Sequence, residues 1–117
     1  MSEVSEKSSS INLCVELADT FLKRLVGLLG TKEFPYAEGL FFTNVTSIHT
    51  FFMKYPIDVV FLNKENQVCK VVDNIKPFRL VLGPFCSWSV LEMRAGAAGL
   101  AGIKKGTVMN FGEKQNG

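Results

Sequence analysis

The feature that most constrains this chain is how its apolar residues are parcelled. They come in short runs, several alternating at every second position, and each run ends in Gly, Pro, Asn or a polar cluster. INLCVEL (residues 11–17) sets Ile, Leu, Val and Leu two apart, the period of a strand with one buried face. GLFFT (39–43), SIHTFFM (47–53), IDVVFLN (57–63), QVCKVVD (67–73) and SWSVLEM (87–93) are rich in the β-branched and aromatic residues that suit a pleated surface. NKEN (63–66) reads as the turn of a hairpin. Pro56 has no amide to give a ladder and marks a break between two runs. Another extended stretch runs from Lys76 through Leu82 to Gly83-Pro84, and residues 107–111 read as a last strand.

Two stretches depart from this rhythm. Asp19 or Thr20 can cap a helix whose apolar face is Phe21, Leu22, Leu25, Leu28 and Leu29, with Gly30 as its stop. AGAAGLAG (95–102) reads as a short helix or a Gly-rich turn. The expected fold is therefore mainly β: a small antiparallel barrel or sandwich, with one short N-terminal helix packed on it and a short Gly/Ala-rich helical turn near the C-terminus. Strands and helices do not alternate, which excludes a doubly wound parallel sheet. A chain of 117 residues supports one core. We expect a single domain over 11–112, a disordered tail over 1–10 and a frayed end over 113–117.

Charge and cysteines limit the function classes. The net charge is +2 with the basic residues scattered, which argues against nucleic acid as a partner. No apolar run reaches the roughly 18–20 residues of a membrane span, and the first ten residues lack a signal-peptide pattern. The expected location is cytoplasmic. Cys14, Cys69 and Cys86 are then read as separate, buried, reduced thiols with no disulfide among them. With one His and no Cys-x-x-Cys pair, no metal site and no cofactor are expected.

SIHTFFMKYPIDVVFL (47–62) resembles the signature of the family called domain of unknown function 192. RLVGLLG (24–30), GLFF (39–42), VLEM with Ala95-Gly96, and GIKKG (102–106) are similar to further motifs of that family, and they follow its order. The resemblance implies a small β-rich, barrel-like domain with a short helical element. It brings no established activity, and family members are often exported. Val45 stands where the His-containing branch often has Cys, Arg94 replaces a common Pro, and Thr107 an Asp.

Ionisable groups set among apolar strands are the candidate site. Asp58 and Glu92 lie within apolar runs, where a carboxylate must be hydrogen-bonded or paired. His49, the only histidine, offers an imidazole able to shuttle a proton, and it shares strand parity with Met53. Arg24 is a candidate cation for the acids. Arg24, His49, Met53, Asp58 and Glu92 form the expected ligand-binding set, at a polar pocket in one end of the barrel. The reading is a non-enzymatic binding or accessory domain for a small ligand or a partner peptide, or a piece of an envelope or secretion assembly. The alternative is a small hydrolase or isomerase using His49 as base, oriented by Asp58 or Glu92. No Gly-x-Ser-x-Gly or phosphate-loop motif is present, so catalytic residues are not assigned.

Overall fold

The computed structural model describes residues 10–17, 39–50 and 53–113. Its elements, in chain order, are β1 (Ser10–Leu17), β2 (Leu40–Thr43), β3 (Ser47–His49), β4 (Ile57–Leu62), β5 (Val68–Ile75), β6 (Leu80–Leu82), β7 (Ser89–Arg94), the one-turn helix α1 (Ala97–Leu100) and β8 (Val108–Glu113). The helix expected around residues 20–29, with Arg24 on it, lies outside the described residues. The short helical turn expected over 95–102 is present as α1.

Six strands form one sheet in the order β5-β4-β7-β2-β1-β8, and β3 pairs with β6 in a separate ribbon. The pairings β4/β5, β4/β7, β2/β7 and β3/β6 are antiparallel, but β1 runs parallel to both β2 and β8. The expected antiparallel barrel or sandwich is corrected in two respects. The large sheet is mixed, and it is not closed. Its edges β5 and β8 meet at a corner, where Gln67 bridges Val108 and the Val68 amide donates to the Thr107 carbonyl over 2.8 Å. Alternation of apolar residues reports which side chains are buried. It is blind to strand direction and to whether edges pair along their length, so neither point was legible.

β4 is buried along its whole length, as its near-continuous apolar sequence requires of a central strand. Its alternate side chains serve two cores. Ile57, Val59 and Phe61 pack with Leu40, Phe42, Val90, Tyr55 and with Ile48 of the ribbon. Val60 and Leu62 pack on the other face with Phe41, Leu91, Met93 and Ala98 of α1. That second core also takes Val68 from one edge strand and Met109 from the other, so the sheet curls around it.

The ribbon sits against the first core through Ile48 and Val81. Its exit is tightly fitted: a Cβ at Gly83 would come within 2.7 Å of a Phe61 ring carbon and 2.8 Å of the Thr46 carbonyl. The Gly83 amide donates to that same carbonyl over 2.8 Å. A disulfide joins Cys69 of β5 to Cys86 in the loop between β6 and β7, 17 residues on. This corrects the expectation of reduced, unlinked thiols. Cys69 is buried while Cys86 is exposed. An odd count of well-separated cysteines hides such a bridge, because folding the β4/β5 hairpin beside the ribbon is what brings the two together.

Candidate functional site

Asp58 is fully buried on β4, and both its oxygens are occupied. Oδ2 accepts from the Gly96 and Ala98 amides at 3.0 Å each, and Oδ1 from the Asn74 amide at 2.9 Å. The first two lie where α1 starts, so Asp58 caps that helix from a distant strand. Gly96 supplies the left-handed backbone (φ +91°) that this entry needs. The third amide belongs to Asn74, also left-handed at φ +52°, where the β4/β5 register slips between Ile57 and Val59. One carboxylate thus fixes a helix start and a strand irregularity together.

Glu92 is equally deep but faces the other way. It lies opposite Leu40 on β2 and Val59 on β4, both members of the first core. Asp58 instead points with Val60 and Leu62 toward α1. The sheet therefore separates the two carboxylates. Met53 is buried in the first core, on the Glu92 side. Arg24 lies outside the described residues.

His49 goes elsewhere. The strand expected over 47–53 ends at His49, so parity does not carry its face through to Met53. Ile48 turns inward, while Ser47 and His49 are exposed on the outer face of the ribbon. Across from them stand Leu82 and Leu80, and these leucines are 66% and 63% exposed. The structure therefore does not gather His49 and Asp58 on one surface.

The turn that enters β6 is held by Thr50, which is fully buried. Its hydroxyl donates to the Lys76 carbonyl (2.7 Å) and accepts from the Arg79 amide (3.0 Å). Its carbonyl accepts from the Phe78 amide (3.0 Å), and its own amide donates to the Arg79 carbonyl (2.9 Å). Within this clamp Phe78 adopts φ +66°, an unfavourable conformation for an aromatic residue, and its side chain is 71% exposed. Phe85, beyond the other end of β6, is fully exposed. Trp88 lies at the rim with the Lys64 ammonium 4.6 Å from its ring centroid.

Sequence reasoning missed this face, because an alternating strand normally puts its apolar side inward. In Phe78-Arg79-Leu80-Val81-Leu82 the leucines face out and Val81 faces in. The signal available was the run of apolar residues at both parities over residues 78–82. A shallow cavity of about 360 Å³ opens elsewhere, between β1 and β8, lined by Asn12, Leu13, Cys14, Asn110, Phe111 and Gly112. It contains none of the five expected site residues. Among the described residues, no three His, Cys, Asp or Glu side chains are grouped to hold a metal ion.

With this geometry in place, comparison with known proteins is informative. The family model DUF192, described as "Uncharacterized ACR", matches residues 3–111. The chain belongs to the DUF192 family. UPF0127 protein PH1112 of Pyrococcus horikoshii is 34% identical over 104 residues, covering 86% of this chain and 84% of that protein. A UPF0127 protein of Thermococcus sibiricus is 43% identical over 86 residues, but this chain spans just 55% of its length. Among solved structures, a protein of unknown function from Novosphingobium aromaticivorans matches with a TM-score of 0.67 at 26% identity, covering 79% of this chain and 70% of that one. A putative transcription regulator from Sinorhizobium meliloti gives the same TM-score at 23% identity over 79% and 76% of the two chains, a likeness of fold. DUF192 membership thus agrees with the motif order from residue 24 to residue 106, and it names no activity.

Proposed function

We propose that this DUF192 domain is a non-enzymatic binding or accessory module that works through the outer face of the β3/β6 ribbon. The observation that carries this reading is the outward pair Leu80 and Leu82, flanked by the exposed Phe78 and Phe85. Isolated apolar residues on a surface are ordinary, whereas a contiguous set on one ribbon is the mark of a contact surface. His49 and Ser47 complete its polar side, so one of the residues singled out from sequence keeps a binding role here. The Cys69–Cys86 bridge fits an oxidising compartment better than a reducing cytoplasm.

Site-specific photo-crosslinking tests this reading. A benzophenone side chain is placed at Leu80, and a control at Lys70, an exposed position on β5, in cells that natively express the chain. An adduct that forms from position 80 and not from position 70 is the expected result. Silence at both positions, or equal labelling from both, rejects the ribbon as the working surface.

A further inference from the structure

We infer that the surface contacted by the ribbon is an anionic phospholipid bilayer, on which the domain docks peripherally. This rests on the binding reading above and names the partner. Charge is the first argument. Residues 39–57 and 75–91, which supply the ribbon and both of its flanking turns, contain no Asp or Glu, although the chain holds eleven elsewhere. The same two segments carry Lys54, Lys76 and Arg79, all exposed, and His49 on the face itself. Lys64 adds a fourth permanent cation beside Trp88, with the exposed acids nearest in sequence being Glu65 next to it and Asp73, three residues before Lys76. Cations around an apolar face match a negatively charged leaflet.

Shape is the second argument. A peptide partner would call for a groove, but the aromatic side chains here project outward. Phe85 stands clear of the protein at the tip of a loop pinned by the Cys69–Cys86 bridge. Phe78 is held outward at an unfavourable φ by the hydrogen bonds that tie Thr50 to Lys76, Phe78 and Arg79. Strain maintained to expose a ring has no benefit for the folded core. It does serve a ring that enters the interfacial layer of a membrane, where aromatic side chains are favoured. No helix among the described residues is long and apolar enough to cross a membrane.

The test is co-sedimentation of the full chain with vesicles of phosphatidylcholine alone and with vesicles containing phosphatidylglycerol. Binding is expected on the anionic vesicles, weakening as salt rises. Charge reversal at Lys76 and Arg79 should cut partitioning by about fivefold or more for each cation. The pair Phe78→Gly and Phe85→Ser should cut it by at least about tenfold. Phe78→Gly is the discriminating variant. Glycine accepts φ +66° without strain, so its Tm should equal or exceed that of the parent while vesicle binding falls. Equal binding to neutral and anionic vesicles, or full binding by the double Phe variant, overturns the proposal. So does retention on immobilised poly-glutamate without vesicle binding, which assigns the face to an acidic protein. If position 80 still crosslinks to a protein in cells while vesicles are not bound, the lipid assignment fails and the binding-module reading stands. If position 80 is silent as well, both fail.

Discussion

The region around Asp58 and the outer face of the ribbon invert each other's chemistry. Beneath α1 a carboxylate is sealed inside the protein, and the cost of burying it is offset by hydrogen bonds from three backbone amides. On and beside the ribbon, the side chains of Leu80, Leu82, Phe78 and Phe85 are exposed. The first arrangement stabilises the domain and presents nothing to a ligand. The second adds little to stability and offers a surface. A buried polar residue in a small β domain is therefore a poor guide to function until its hydrogen bonds are counted.

The sharpest way to break this contrast is at Asp58. Asp58→Ala should destabilise the domain by about 2–4 kcal/mol, because the buried Ala98 amide and the part-buried Gly96 and Asn74 amides lose their acceptor. Urea unfolding checks it, with an unchanged m-value expected. A loss below about 1 kcal/mol would mean that the amides find water, and that the cleft under α1 is open enough to hold a ligand. Asp58→Asn keeps the shape and one acceptor, so it should fall between the two.

What the sequence disclosed follows the same division. β4, β5 and the NKEN turn were legible because alternation and turn chemistry agree there, and α1 was foreseen as one of two forms for its small-residue run. The expected convergence of Asp58, Glu92 and His49 was not a legible property. Whether two strand residues share a face depends on the register of β4 against β7, in which Asp58 pairs with Met93 and Val59 with Glu92. His49 left the Met53 face because Thr50 turns the chain directly after it, drawing Lys76 to Arg79 into its clamp. Its hydroxyl is too common in sequence to announce such a task. The parallel direction of β1 and the Cys69–Cys86 pairing are likewise products of the tertiary path.

A second test sharpens the division where the two regions touch. The Cys69–Cys86 bridge anchors the loop of Phe85 to β5, with its buried half in the core. Closing a loop of this length lowers the entropy of the unfolded chain, worth about 3 kcal/mol in the chain-entropy account. Cys86→Ser should therefore lower Tm by roughly 10 °C, as read by calorimetry with and without reductant. Reductant should lower the parent to the same value and leave the variant unmoved. If the parent does not respond, the bridge contributes nothing to stability, and the loop tip is held by its packing at Gly83 instead.

The smallest effect expected is also the one that most directly opposes the two regions. Leu80→Thr and Leu82→Thr should each change stability by no more than about 0.5 kcal/mol, since threonine suits a strand and neither leucine is covered. Ile48→Ser, one residue from His49 but facing inward, should cost several times as much by opening the first core. The comparison is made within a single ribbon, so chain position cancels. If the two leucine variants instead lose about 2 kcal/mol, their side chains are packed in solution. The ribbon would then be part of the core, and an outward contact face could not be built from it.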